Sequence, residues 1–258
     1  MSPVEPVYRP VIGLALGIMK TMKWDVRTTG IENIPTEGPA VIATNHVGYL
    51  DFVFVGAAAR ERRRLVRFLA KAEVFKHKVA GPLMRGMKHI PVDRFGRASQ
   101  AIDDSVAALK RGEVVGMFPE STISRSFVPA AGKTGAARMA MAAGAPLIPG
   151  AVWGSQRILT KGRPKNFQRD VVISVAMGEP VDYSPDDDPE KVTLVMMQRI
   201  EELVDRAQRN YPQSPLGPDD TWWLPAHLGG SAPTVEESLS MNAREAEERR
   251  ARRQEGQR

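Results

Sequence analysis

A short apolar run that ends on a polar cluster most constrains how this chain can fold. Residues 40–43 are all apolar and predict a buried strand, which stops at Thr44 and Asn45 and is followed at once by His46. Five residues later, Asp51 opens a second apolar run that is typical of a helix start. In α/β proteins, ligands and chemistry lie beyond the carboxyl ends of strands, where a strand leads into a helix. Because residues five apart lie poorly on one helix face, His46 and Asp51 would have to meet across a turn.

A histidine within reach of a carboxylate is the minimal general-base pair. The carboxylate fixes the imidazole tautomer and stabilises its protonated form, so the histidine can take a proton from a reacting group. A plainer interpretation is that His46 caps the strand and Asp51 caps the helix, with no chemistry between them. The spacing alone does not choose between the two.

The composition excludes several classes of site. The chain has 258 residues, 42% of them hydrophobic, which is enough for one large domain with a sizeable core. It has no cysteine, so disulfides, thiol nucleophiles and thiolate metal ligands are excluded. The four histidines are scattered, and we expect no metal site. The usual nucleotide-binding glycine motifs and the GxSxG element of α/β-hydrolases are also absent from the sequence.

Strand-like and helix-like segments alternate along the chain. We expect strands at residues 24–30, 40–43, 66–70, 89–92, 113–118, 146–152 and 171–177. Helical periodicity covers residues 53–64, 81–87, 97–110, 136–143 and 189–209. This alternation predicts an α/β fold with a mixed, mostly parallel central sheet flanked by helices.

Residues 1–24 are predicted to form an amphipathic helix at the membrane interface. The uncharged run between Arg9 and Lys20 has 10 residues, against about 20 for a helix that crosses a bilayer. Apolar residues flanked by Arg, Lys and Trp fit an interfacial helix, and a terminal helix that covers the core fits equally well.

Two further segments complete the predicted organisation. Residues 25–211 form the main domain, and residues 212–258 are a Pro-rich linker with a charged tail that is either a solvated helix or partly disordered. In the linker, Trp222 and Trp223 could dip into lipid or pack back on the domain, and we expect packing.

The positive charge of the chain is concentrated. The net charge is +6, yet residues 60–97 contain twelve Lys and Arg against three acids, a local excess of +9. Such a field suits phosphate-bearing ligands or anionic lipid, and its plainer interpretation is a solvated face. We do not expect nucleic-acid binding, because the window lacks interleaved aromatic residues and any recognised motif.

Four blocks in order, and one further segment, resemble the glycerolipid acyltransferase family, the 1-acylglycerol-3-phosphate acyltransferases. Asn45-His46 with Asp51 is similar to the NHxxxxD block of that family. The other similar segments are residues 86–94, the Phe118-Pro119-Glu120-Ser121-Thr122 block, residues 133–136 and residues 146–149.

The third block departs from the family pattern. Ser121 stands where the family has glycine, and Ile123 stands where it has an arginine that helps to hold the acceptor's phosphate. Arg125, Arg94 or Lys133 could replace that arginine, or the acceptor could carry a different head group. A protein of this fold that binds lipid or phosphate without catalysis is a further alternative.

The resemblance implies the chemistry and the site. His46 would be the general base that Asp51 holds in place, with Glu120 either positioning the acceptor or capping a loop. The substrate-binding residues it implies are Asn45, Arg94, Glu120, Ser121, Thr122, Arg125 and Lys133. The reaction needs no cofactor beyond its co-substrate, acyl-CoA or acyl carrier protein, and a lysophospholipid acceptor. The implied location is an anionic membrane surface on the cytoplasmic face, as a peripheral or monotopic protein.

Overall fold

In the part of the chain that the structure describes, seven strands form one central sheet. The computed structural model describes residues 5–93 and 98–255. The strands are β1 Asp25–Thr29, β2 Ala40–Thr44, β3 Val66–Lys71, β4 Ile90–Val92, β5 Val114–Met117, β6 Leu147–Trp153 and β7 Val172–Met177. Their order in the sheet is β1-β7-β6-β2-β5-β3-β4. In the part described, every neighbouring pair is parallel except β6 and β7, which confirms the predicted mixed, mostly parallel sheet.

Helices flank this sheet on both faces. They are α1 Tyr8–Thr21, α2 Asp51–Glu61, α3 Ala72–Lys76, α4 Ala80–Gly86, α5 Ala98–Lys110, α6 Gly135–Ala143, α7 Pro189–Arg209 and α8 Val235–Glu255. One core joins the sheet to α5, α6 and α7, and a second joins the other face to α1 and α2. The short helix α3 lies beyond what the periodicity predicted, since five residues are too few to establish a helical period.

The sheet brings three strand ends to one place. Strands β6, β2 and β5 are neighbours and run parallel, so their carboxyl ends lie at the same edge. All residues of the three strands are buried, as expected for parallel strands covered on both faces. The segments that follow them, which begin at Asn45, Phe118 and Gly154, therefore meet at this edge.

The first helix both covers the core and exposes apolar side chains. Met19 is buried in the second core, and the Tyr8 hydroxyl donates to the Val66 carbonyl oxygen at 3.0 Å. On the outer side, Leu14 is 68% and Ile18 46% exposed. Both interpretations of the N-terminal segment thus have support, and its membrane association stays a prediction. Within residues 5–93 and 98–255, no helix has the length and apolar character needed to cross a bilayer.

The segment after α7 packs back on the domain through Trp223, with the partly buried Trp222 against the same cluster. Trp223 is fully buried beside Trp153 and Tyr211, and the Arg157 guanidinium lies 4.5 Å from the centre of its ring. Beyond it, α8 covers most of the segment predicted as a charged tail. The domain boundaries given above stay predictions.

Two arginines of the cationic segment 60–97 hold the fold together. Arg67 is buried, and its guanidinium donates to Glu5 at 2.6 Å, to Glu113 at 3.2 Å and to the Met87 carbonyl oxygen at 2.9 Å. Arg64 donates to three backbone carbonyl oxygens. Burying such groups is tolerable only when they are paired, so these two arginines are structural and add little to a cationic surface.

Two glycines with positive φ, one directly after β1 and one at the carboxyl end of α6, differ in the space available for a side chain. Gly30 has φ +66°, and a Cβ there would lie 1.9 Å from the Met177 carbonyl oxygen. Gly144 has φ +60° with nothing within 4 Å of its Cβ position. We expect Gly144→Ala to cost about 1 kcal/mol of stability, from backbone strain alone, and Gly30→Ala at least about twice that. Urea midpoints of the two variants measure this, and equal losses would contradict the structure.

Candidate active site

His46 and Asp51 meet across the turn between β2 and α2. The His46 Nδ1–H donates to Asp51 Oδ2 at 2.8 Å. Asp51 is fully buried, whereas the His46 side chain is 18% exposed. The same Oδ2 accepts the backbone N–H groups of Val47 at 2.8 Å and Gly48 at 2.9 Å, and Oδ1 accepts the Ser155 hydroxyl. The carboxylate is therefore fixed from four directions.

This arrangement selects one tautomer of the imidazole. Because Nδ1 carries the proton that Asp51 accepts, Nε2 carries the lone pair. Across the described residues, Nε2 makes no hydrogen bond. Asp51 is the first residue of α2, but its side chain bonds the preceding turn and makes no capping hydrogen bond to the helix. The plainer interpretation of a helix cap therefore does not describe its contacts, and the pair has the geometry of a general base.

Phe118 fixes the plane of the imidazole. Its ring stacks on His46 with 4.0 Å between centroids and 13° between planes, and it stacks in turn on Phe68. This role was not predicted from the sequence, although the aromatic residue directly before Pro119-Glu120 was a signal for it. Neither Ser155 nor Phe118 was among the predicted site residues.

The Glu120 carboxylate bonds the backbone of the loop that carries His46 and of the loop that follows β5. Oε1 accepts the His46 N–H and Oε2 accepts the Ala130 N–H, both at 3.0 Å. Burial raises the pKa of this carboxyl to about 7, with a smaller contribution from the negative charge of Asp51, while the two backbone hydrogen bonds act in the other direction. The loop-capping alternative thus describes its contacts. A role in holding the acceptor stays a prediction.

Asn45 and Ser121 also make contacts within the protein. The Asn45 side chain donates to the Val152 carbonyl oxygen at 3.0 Å and accepts the Val152 N–H at 2.7 Å, so it ties the end of β2 to β6. Ser121 has φ +59°, a region that favours glycine. This backbone conformation accounts for the glycine expected at that position.

The remaining predicted residues divide into three groups. Thr122 and Arg125 lie together beside Lys161, whose Nζ is 3.3 Å from the Thr122 hydroxyl oxygen, and both cations contact α8. Lys133 keeps its backbone at the loop by donating its N–H to the Pro119 carbonyl oxygen at 3.0 Å, and its side chain is exposed. Arg94 lies outside the described residues. Lys161 was missed because no motif includes it.

Two surface clefts lie away from this pair. Two open clefts, of about 400 and 350 Å³, border α7 near Tyr211 and near Arg199, and His46 lines neither of them. The turn that carries His46 instead lies at the carboxyl edge of the sheet, where ligands of α/β proteins are expected.

Comparison with known proteins identifies the family. The model of the acyltransferase family matches residues 25–153, which is half of the chain. This protein belongs to the acyltransferase family. The predicted family membership and the prediction of an O-acyltransferase enzyme are thereby confirmed.

Named relatives and a solved structure agree with this membership. The chain is 29% identical over 201 residues to a 1-acyl-sn-glycerol-3-phosphate acyltransferase of Bacillus subtilis, covering 74% of this chain and 94% of the relative. It is 28% identical over 142 residues to the chloroplastic acyltransferase LPAT1 of Arabidopsis thaliana, covering 54% and 39%. The structure of the Thermotoga maritima acyltransferase PlsC shares the fold, with a TM-score of 0.62, 22% identity and coverage of 83% and 86%.

The pKa of Glu120 gives stability a signed pH dependence. The folded protein holds this proton more tightly than the unfolded chain, since the pKa is about 7 against an ordinary 4.5. Between these values the free energy of unfolding falls as pH rises, by roughly 3 kcal/mol from this group. The pKa of His89 is lowered to about 4 by burial and by the charge of Arg67. The contribution of His89 to the free energy of unfolding therefore rises with pH between about pH 4 and 6.5.

Glu120→Gln isolates the contribution of Glu120, because His89 is common to both proteins. Urea unfolding of each from pH 5 to pH 8 yields the difference in the free energy of unfolding. Between pH 5 and pH 8, we expect the free energy of unfolding of the variant to rise relative to that of the wild type by up to about 3 kcal/mol. A difference that does not change with pH would contradict the assigned cause.

Proposed function

We propose that this protein transfers a fatty acyl group from an acyl thioester to the free hydroxyl of 1-acylglycerol 3-phosphate, forming phosphatidate. The observation that carries the proposal is the hydrogen bond from His46 Nδ1 to the immobilised Asp51 carboxylate, which leaves Nε2 as a base. The Bacillus subtilis relative, named for this activity, supports it over almost its whole length.

The proposed step balances without an enzyme nucleophile. The acceptor's hydroxyl oxygen attacks the thioester carbonyl carbon while His46 Nε2 takes the hydroxyl proton. Asp51 stabilises the imidazolium that forms. When the tetrahedral intermediate collapses, the carbon–sulfur bond breaks and the thiolate takes the proton from His46. The products are the new ester and a free thiol, and the histidine returns to its starting state.

Rigid support of the imidazole has a direct use in this step. General-base assistance contributes about 10²–10⁴-fold when the base is correctly placed, and small errors of placement are costly. Asp51 fixes one ring nitrogen, Phe118 fixes the ring plane and Glu120 fixes the His46 backbone. Each support reduces a different motion of the same ring.

A lipid acceptor requires access from a membrane surface. In α3, α4 and the residues between them, Val74, Val79 and Leu83 are exposed next to the exposed lysines 76 and 78. Exposed Leu14 and Ile18 on α1 add to the apolar surface. Apolar and cationic side chains together favour anionic bilayers, so we propose that these helices dock the enzyme on the membrane.

His46→Ala is the decisive variant. Loss of the base should lower the rate of acyl transfer by about 10²–10⁴-fold. The fold should be retained, because Asp51 keeps its three other donors. Release of free thiol from acyl-CoA and from acyl carrier protein, with 1-acylglycerol 3-phosphate as acceptor, measures the rate. His227→Ala, which changes an exposed histidine far along the chain, is the matched control and should keep full activity.

The alternatives predict different outcomes of that assay. Turnover close to wild type in His46→Ala would refute the role of His46. Binding of lysolipid with no thiol release from either donor, in the wild-type protein, would favour the non-catalytic alternative. Release with a lysolipid of another head group, and none with 1-acylglycerol 3-phosphate, would reassign the acceptor.

Ser155 is expected to act through Asp51. Ser155→Ala removes the donor on Asp51 Oδ1, so the carboxylate and the imidazole lose part of their alignment. We expect kcat to fall about tenfold at unchanged KM, a loss typical of one hydrogen bond to a charged group. Ser105→Ala, which removes another fully buried hydroxyl that donates to a helix carbonyl oxygen, is the control. Equal effects of the two variants on kcat would argue against a role of Ser155 in positioning the Asp51 carboxylate.

A further inference from the structure

Two residues of helix α8 contact the side chains of Arg125 and Lys161. Glu245 Oε2 is 2.6 Å from Lys161 Nζ and 3.2 Å from Arg125 Nη2. One turn earlier, Asn242 Oδ1 accepts Arg125 Nη1–H at 2.6 Å and Lys161 Nζ–H at 3.1 Å. Two α8 residues three positions apart, and hence on one helix face, thus hold both cations.

Both cations are anchored to the loop that carries His46. Ser124, which precedes Arg125, donates its N–H to the His46 carbonyl oxygen at 2.8 Å. Thr160, which precedes Lys161, donates its hydroxyl to the Val47 carbonyl oxygen at 2.6 Å. Arg125 and Lys161 therefore each follow directly a residue that bonds the backbone of the turn carrying the proposed base.

Helix α8 itself has little apolar anchorage. Among its described side chains only Ser238 is buried, while Val235, Leu239 and Met241 are exposed. The contacts to Arg125 and Lys161 are polar and only partly shielded, since Glu245 is 31% exposed. Segments with few buried apolar contacts open at low cost.

We propose that Arg125 and Lys161 bind the phosphate monoester of the acceptor, and that Glu245 occupies this site as a tethered competitor which the phosphate displaces. The proposal rests on the proposed function and adds Lys161 and α8 to it. A phosphate monoester carries up to two negative charges and three acceptor oxygens, against the single Glu245 oxygen that both cations contact. Arg125 Nε, buried and without an acceptor among the described residues, offers such a ligand a further donor.

Hydrogen exchange of the α8 amides tests displacement without requiring turnover. The full chain is compared with no ligand, with lysophosphatidate, with glycerol 3-phosphate, with inorganic phosphate and with 1-acylglycerol of the same chain length. We expect faster exchange across residues 235–248 with lysophosphatidate, a smaller response to the two soluble phosphates at high concentration, and none with 1-acylglycerol. No response to any phosphate, or an equal response to 1-acylglycerol, overturns the proposal. Failure of acyl transfer alone would instead count against the proposed function.

Two variants with opposite expected signs test the competition. Glu245→Gln should lower the apparent dissociation constant for lysophosphatidate about fivefold, because the open state becomes more populated, and should lower KM with kcat unchanged. Lys161→Gln should raise both about tenfold, because a charged contact to the ligand is lost. Glu247→Gln removes an equal charge from an exposed position of α8 and is the matched control. Shifts of the same sign at residues 161 and 245 would indicate a structural role and overturn the proposal.

Discussion

The buried carboxylate of Asp51 is the interaction on which the rest of the site depends. A fully buried carboxylate is stable only when its oxygens are satisfied, and here three groups from one turn and one from a distant strand end donate to it. The same hydrogen bonds that make burial tolerable close the turn after β2 and orient His46. One set of contacts thus meets the structural requirement of the buried carboxylate and orients the imidazole that we propose as the base.

The parallel core of the sheet makes this convergence possible. Ser155 follows β6, His46 follows β2 and Glu120 follows β5, three neighbouring strands that run in the same direction. The donor to Asp51 Oδ1 and the acceptor of the His46 N–H come from segments far apart in sequence, yet each is only a few residues past a strand end. If one of these strands ran in the opposite direction, the group that follows it would lie at the other edge of the sheet, one strand length away.

The sequence predicted what depends on local pattern and missed what depends on tertiary contact. Apolar runs located the seven described strands within a few residues, and the resemblance of residues 45–51 to the NHxxxxD block paired His46 with Asp51. Ser155, Phe118 and Lys161 were missed because their roles arise from neighbours more than 35 residues away. For residues 60–97, the sequence overstated the cationic surface, because charge counting does not separate the buried, paired Arg67 from an exposed lysine.

The altered third block becomes intelligible through burial. Ile123, at the position where an arginine was expected, is 5% exposed, so a cation there would have to be buried and paired. The nearby positive charge is carried instead by Arg125 and Lys161, which are reached from two loops that both bond the His46 turn. A cation pair assembled from separate loops is less constrained than one within a motif, and a carboxylate on a weakly anchored helix can then hold it until a more highly charged ligand arrives. The departure from the family pattern and the contacts of α8 are, in this view, two parts of one arrangement.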